Sequence, residues 1–358
     1  MSKIKVLIVD DSAFMRKSIS IMVESDKDIE VIATARDGEE GYNLAKSLRP
    51  DIITLDIEMP KMDGLTALKK IMKDCPTSVL MVSSLTSEGA DATLKALEYG
   101  AVDFIPKELS YINVNIIKVK EDLIRKIKEI VRHKQLRDGL TRLRRIKNDG
   151  SLHAASVVTI NKEIPKIGFR AIVLGVSTGG PLSLQKVIPK ISKKINVPIF
   201  LVQHMPPKFT KSLADRLNGM SELEVKEAEA NEPVRNNVVY IAPGGFHLKL
   251  HKGSFGQVTV DVSELPNTTL HRPSVDVMME SVINVYGKYT LGVIMTGMGK
   301  DGLEGIRLIK SLGGYSIAQN EESCIVYGMP KAIVDSGFAD VISPLEKIAD
   351  EINKVMIR

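Results

Sequence analysis

Ser177 stands in Gly175-Val176-Ser177-Thr178-Gly179-Gly180-Pro181, between an apolar run and a helical pattern. A serine set among glycines at a strand-to-helix turn exposes its hydroxyl at a sheet end, beside backbone N–H groups able to hold an oxyanion. A dinucleotide loop would need the spacing G-x-G-x-x-G, and a phosphate loop a Gly-Lys-Ser ending; both are absent. A plain tight turn stays open as the other reading. A nucleophilic serine needs a base, and the chain has six histidines. His133 and His153 fall in a basic and polar stretch, while His247 and His251 alternate with apolar residues as strand-face residues do. His204 follows the apolar run Ile199 to Gln203, so in a parallel sheet it emerges at the same edge as Ser177. It is the first candidate. His271, in Leu270-His271-Arg272-Pro273, is the reserve, or a residue lining the cleft. The orienting acid should come from a third strand end, where Leu291 to Met295 leads into Thr296-Gly297-Met298-Gly299-Lys300-Asp301-Gly302. Asp301 is that candidate, with helix capping as its alternative. The order Ser, His, Asp differs from the Ser, Asp, His order of α/β-hydrolases and implies another fold.

A second constellation lies near the N-terminus. Asp10 and Asp11 follow the first apolar run and Asp56 follows the third, and in a doubly wound sheet those two ends are neighbours. Three carboxylates gathered there need a cation, and an all-oxygen site with few protein ligands suits Mg²⁺. Ser83 after the fourth run and Lys107 after the fifth converge on the same pocket. Their hydroxyl and ammonium could bind the oxygens of a phosphoryl group carried on Asp56. Capping of the next helix by Asp10 and Asp11 is the simpler alternative, but it leaves Asp56, Ser83 and Lys107 unexplained.

The elements that must position these groups can be read from periodicity. Strands are expected at Ile4 to Val9, Ile29 to Ala35, Ile52 to Leu55, Ser78 to Val82 and Val102 to Ile105, separated by helix-length segments, as in a five-stranded doubly wound parallel sheet. Apolar residues at helical spacing from Ile116 to Val131 close that domain, and Arg137 to Pro165 has the composition of a linker. A second series has strands at Ala171 to Val176, Pro198 to Val202, Val238 to Ile241 and Leu291 to Met295. Helices are expected between them at Leu182 to Ile191, Ser274 to Val285 and Leu303 to Leu312. This is a second α/β domain with a mainly parallel sheet, and the turn-rich stretch Val225 to Val262 predicts an antiparallel excursion. The expected boundaries are 1–122, a linker over 123–165, and 166–358.

Composition excludes several classes. Of the net charge of +5, the segment Lys118 to Lys147 alone carries +8, so neither domain is basic and nucleic acid is not an expected partner. Cys75 and Cys324 are too far apart in sequence for a metal knuckle, which favours a reducing cytoplasm. No apolar run reaches the roughly 18 residues of a membrane span, and the N-terminus has no signal-peptide pattern.

The motifs resemble two known families. Val9-Asp10-Asp11-Ser12, Leu55-Asp56-Ile57-Glu58-Met59-Pro60, Asp63-Gly64 and the late Lys107 are similar to response-regulator receiver domains. That resemblance implies Asp10, Asp11 and Asp56 as Mg²⁺ ligands, Asp56 as phosphoacceptor, Ser83 and Lys107 as phosphoryl-sensing residues and Phe104 as a switching aromatic. Where the family commonly has proline after its lysine, this chain has Glu108, with Pro106 before the lysine instead. The serine motif, Gln203-His204-Met205-Pro206-Pro207, Tyr240-Ile241-Ala242-Pro243-Gly244, His271-Arg272-Pro273-Ser274-Val275-Asp276, the segment from Thr296 to Gly302 and Ala318-Gln319-Asn320 together resemble the chemotaxis protein-glutamate methylesterases, the CheB family. The resemblance implies a triad of Ser177, His204 and Asp301, with Thr178 and Met298 adjoining the oxyanion site and no cofactor for the hydrolase. It implies methyl-esterified glutamyl side chains of chemoreceptor cytoplasmic helices as substrate, receptor glutamines as a second substrate, and a chemotaxis histidine kinase as phosphodonor. A steric block of the serine cleft by the unphosphorylated receiver is the simplest expected coupling.

Overall fold

The computed structural model describes residues 3–107, 116–148 and 162–357. The chain divides into two compact units, Met1–Asp149 and Gly150–Arg358.

The first unit alternates β1 (Ile4–Val9), α1 (Ala13–Glu24), β2 (Ile29–Ala35), α2 (Gly38–Leu48), β3 (Ile52–Asp56), α3 (Gly64–Asp74), β4 (Ser78–Ser83), α4 (Ser87–Glu98), β5 (Asp103–Pro106) and α5 (Ile116–Asn148). Its sheet has the order β2-β1-β3-β4-β5, with every pairing parallel. Such a sheet is covered on both faces, which is why β3 and β4 read as unbroken buried runs. Each of the first four helices starts on a side chain that accepts an orphan N–H of its first turn: Ser12, Asp37, Asp63 and Thr86. On α5, Leu123, Ile127, Ile130 and Val131 are buried. Two of its basic residues are paired with the rest of the unit: Lys126 with Asp103 at 2.9 Å, and Lys128 with Asp26 at 3.1 Å and Asp28 at 2.7 Å. The helix runs on to Asn148, beyond Val131 where the apolar periodicity fades. Lys, Arg and Leu are strong helix formers, so intrinsic propensity can carry the helix past its apolar stripe. Glu108 and the linker stretch 149–161, with His153, lie outside the described residues.

The second unit contains β6 (Ala171–Val176), α6 (Gly180–Val187), β7 (Ile199–Gln203), α7 (Phe209–Asn218), β8 (Glu224–Glu227), β9 (Val238–Ile241), β10 (His247–Lys252), β11 (Val258–Ser263), α8 (Val275–Tyr286), β12 (Thr290–Ile294), α9 (Leu303–Ser311), β13 (Tyr315–Gln319), α10 (Met329–Asp335), β14 (Val341–Ser343) and α11 (Ile348–Met356). Seven strands form one sheet in the order β14-β13-β12-β6-β7-β9-β8, all parallel. The antiparallel excursion is narrower than its turn signals predict: among the named strands of the described residues β10 and β11 pair that way, with an isolated antiparallel bridge from Pro233 to Thr259, while β8 and β9 join the parallel sheet. The chain leaves the central strand β6 toward β7 and later returns to its other side at β12. That reversal is a topological switch point, where a crevice opens at the carboxyl ends of the strands.

Candidate functional site

Ser177 directly follows β6. Its turn depends on Gly179, which has a φ of 77°, the left-handed region that glycine enters without steric cost. A Cβ on Gly180 would collide with the Gln203 side chain. The Gln203 amide donates to the carbonyl oxygens of Ser177 at 3.0 Å and His204 at 3.3 Å, tying the two neighbouring strand ends together. The Ser177 N–H donates to Thr296 O at 2.9 Å, so it is directed away from any oxyanion. Thr296 is itself fixed, its N–H donating to Gln319 Oε1 at 2.8 Å and its hydroxyl to Thr178 O at 3.0 Å. A Cβ on Gly297 would stand 2.8 Å from the Ser177 Cβ, so only glycine lets the 296–299 backbone approach the serine. Met298 in that segment and Thr178 beside the serine are both buried.

His204, just beyond β7, places Nδ1 3.1 Å from Ser177 Oγ and Nε2 2.8 Å from Asp301 Oδ2. The carboxylate thus selects the tautomer protonated on Nε2 and leaves the Nδ1 lone pair facing the hydroxyl. His271 stacks on the His204 ring with centroids 4.2 Å apart and planes 21° from parallel. The stacked ring covers one face of the His204 imidazole. His133 Nε2 lies 3.6 Å from Glu129 Oε2 within α5, and His251 is exposed on β10.

Asp301 is not a cap for the helix it precedes. Oδ2 accepts the Val275 N–H at 2.7 Å, and Oδ1 accepts the Asp276 N–H and the Ser274 hydroxyl at 3.0 Å each, so it holds the N-terminus of α8. Asp276, in the first turn of α8, returns the favour by accepting the Gly305 N–H of α9 at 2.8 Å. Two carboxylates cross-cap two helices. Burial would raise the Asp301 pKa, but the hydrogen bond and charge of His204 and the backbone donors of Asp276 and Val275 outweigh it and hold the acid well below the usual carboxylate range. Burial, reinforced by the Asp301 charge, instead pushes Asp276 up to about 6.

In the first unit, Asp10, Asp11 and Asp56 bring carboxylate oxygens within 4.8 Å of one another. The Lys107 ammonium lies 2.5 Å from Asp56 Oδ2 and 3.6 Å from Asp10 Oδ2. Asp10 Oδ1 accepts the Ser12 N–H at 2.9 Å, while its buried Oδ2 has no hydrogen-bond donor. A buried carboxylate oxygen with no hydrogen bond, 3.6 Å from the Lys107 ammonium and beside two further carboxylates, belongs to a donor set that fits a hard divalent cation. Burial raises Asp56 to about 6, against the Lys107 hydrogen bond and with the Asp10 charge adding to it. The Ser83 hydroxyl is turned to α4, accepting from Thr93 Oγ1 at 2.8 Å and donating to Gly89 O at 3.2 Å. Phe104 is buried.

Residues 172–352 match the family described as CheB methylesterase, and residues 6–115 match the response regulator receiver domain. The chain belongs to the CheB methylesterase family. A protein-glutamate methylesterase/protein-glutamine glutaminase of Lawsonia intracellularis is 47% identical over 364 residues, covering 99% of both chains. One of the same description from Pyrococcus horikoshii is 45% identical over 99% of this chain and 94% of its own. The crystal structure of the Thermotoga maritima CheB methylesterase catalytic domain matches with a TM-score of 0.51 and 44% identity, over 53% of this chain and all of that one. As a CheB-family protein, the chain is a serine-hydrolase-type methylesterase joined to a receiver of the two-component chemotaxis type. No helix among its described residues is long and apolar enough to cross a membrane.

Proposed function

We propose that this protein hydrolyses γ-methyl esters of glutamyl side chains on the cytoplasmic helices of chemoreceptors, and deamidates receptor glutamines at the same site, in the cytoplasm. The observation that carries the reading is the unbroken path Ser177 Oγ, His204 Nδ1, His204 Nε2, Asp301 Oδ2, built from three adjacent strand ends at the switch point. Nδ1 takes the hydroxyl proton as Oγ attacks the ester carbonyl carbon. Asp301, itself held by three donors, steadies the imidazolium that forms. With the Ser177 N–H committed to Thr296, the oxyanion falls to donors of Thr178 and Met298. Collapse expels methanol, or ammonia from a glutamine, protonated from Nδ1. Water then attacks the acyl-enzyme by the same route in reverse and releases glutamate.

Asp56 is the phosphoacceptor for a chemotaxis histidine kinase, and Ser83 and Lys107 respond to the phosphoryl group. Asp10, Asp11 and Asp56 would hold Mg²⁺, which when bound screens the carboxylates from one another and the incoming phosphoryl charge. Phosphorylation relieves an inhibition of the hydrolase by the receiver. The domain limits that go with this are 1–122 for the receiver, 123–165 for the linker and 166–358 for the hydrolase. Pairing of Lys126 and Lys128 with aspartates supports a packing role for the basic helix over nucleic-acid binding, and nothing in the reading requires membrane insertion. Methanol release from a methylated receptor fragment tests the function: parent enzyme releases it, Ser177→Ala does not, and equal release by both would overturn the assignment.

A further inference from the structure

We propose that His247 is a positioning residue of the hydrolase, one ring that braces the loop carrying His271 and the helix terminus that holds Asp301. Its alternation along β10 suggested an ordinary strand-face residue, yet the side chain is fully buried. Both ring nitrogens are engaged. Nε2 lies 3.0 Å from Pro266 O and 3.3 Å from Thr269 Oγ1, and Nδ1 accepts the Ser274 N–H at 3.2 Å. The Ser274 contact fixes the proton on Nε2, because Nδ1 must present its lone pair. Burial pulls the pKa of the ring down, with Arg272 and Lys249 as facing cations and Asp301 as the facing anion, so the neutral form persists.

The partners of His247 lead to two of the three triad side chains, Asp301 and His204. Ser274 donates its hydroxyl to Asp301 Oδ1, and the next two N–H groups, of Val275 and Asp276, complete the grip on that carboxylate. Thr269 donates to the carbonyl of His271, the residue stacked on the His204 ring. The start and end of the 266–274 loop therefore meet on one imidazole. A buried apolar residue of similar size could fill the volume, but it would leave the Ser274 N–H and the Pro266 carbonyl unpaired. The consequence predicted is displacement of the donors around Asp301, which acts on the chemical step more than on substrate affinity.

The test rests on the methylesterase reading and uses the full-length chain. In His247→Asn the side-chain oxygen can occupy the Nδ1 position and still accept from Ser274; in His247→Gln the amide reaches the Nε2 position and the Ser274 N–H is left without its acceptor. His247→Gln and His247→Leu should lower kcat by about 10- to 100-fold with KM little changed, the cost typical of an outer partner of a catalytic group, while His247→Asn keeps most of kcat. The low-field proton resonance of His204 Nε2–H bonded to Asp301 should shift or broaden in His247→Gln and persist in His247→Asn. Should His247→Leu fail to fold, the Asn and Gln pair decides. Folded His247→Gln with parental kcat and an unchanged low-field resonance overturns the proposal, as does equal loss in the Asn and Gln variants. If the parent itself releases no methanol, the methylesterase reading has failed, and the proton resonance still judges His247.

Discussion

His204 presents Nδ1, not Nε2, to the hydroxyl of Ser177, at 3.1 Å. The more familiar serine triad uses the ring the other way round, with Nε2 toward serine. Here the acid arrives from the strand on the far side of β6, beyond the imidazole, and reaches the outer nitrogen. The base is the same lone pair in a different place. Ser177→Ala and His204→Ala should each lower methanol release by a factor on the order of 10³ or more, and the double variant should lose little beyond either single one, because the two act as a unit. Additive losses measured in that cycle would separate them. Asp301→Asn should lose less, since its oxygen still accepts from α8.

The cross-capping carboxylates predict a pH signature. Asp276 is raised to about 6 in the folded chain, so the fold binds this proton more tightly than the unfolded chain does. Its contribution to stability is greatest near pH 4 and is lost as pH rises through about 6. Asp276→Asn keeps an acceptor for Gly305 without the charge. Urea unfolding should therefore show the variant gaining on the parent by on the order of 1–3 kcal/mol between pH 4.5 and pH 7.5. Asp301 behaves oppositely: it is held low, and its contribution is lost only as pH falls below the usual carboxylate range.

Gly180 faces Gln203 with no room for a methyl group. Gly180→Ala should destabilise the hydrolase unit by about 1–3 kcal/mol, the usual cost of overpacking, and lower kcat by disturbing the Gln203 bridge. Thermal unfolding and initial rates measured on one preparation would show both, and an unchanged melting temperature would discount the collision.

At the receiver, millimolar Mg²⁺ should raise the unfolding temperature, by up to about 2.7 kcal/mol of stabilisation at a hundredfold excess over Kd, and Asp10→Asn should abolish most of that gain. Calorimetry with and without chelator is the measurement. An undiminished effect in Asp10→Asn would place the cation elsewhere.

A fragment beginning at Lys166 should hydrolyse ester without phosphodonor. The full chain should be slower until phosphorylated, and Asp56→Asn should stay at the basal rate. Raising an open population from about 1% to about 50% allows at most about 50-fold activation. Equal rates for fragment and full chain, with and without phosphodonor, would remove the inhibitory role.

Much of this was legible because catalytic groups in parallel α/β sheets sit where an apolar run stops. Ser177, His204, Asp301, Asp10, Asp56 and Lys107 all follow or end such runs. The groups that hold them were not. Gln203, Asp276, Thr296 and Gln319 act on or through backbone N–H and carbonyl groups, and Ser274 through its hydroxyl, with partners that depend on strand order and leave no spacing in the sequence. His247 reads as a strand-face residue because its face of β10 is exposed at His251; the loop from Pro266 to Ser274 that covers it at the start of the strand leaves no period in the sequence. β14 has three residues and β8 four at the sheet edge, too short for a period of two to show. α5 outlasted its apolar stripe, which periodicity alone could not foresee.

The path from serine to acid joins residues 27 and then 97 positions apart in the chain. None of it is local. Nearly three-quarters of the unit Gly150–Arg358 is made by the time Asp301 is added, and the loop between base and acid must close before the imidazole is oriented. Chain in which that loop has not closed is therefore silent toward esters. Recovery of methanol release after dilution from denaturant then becomes a clock for the closure of that loop, an event that spectroscopic probes of helix content do not read.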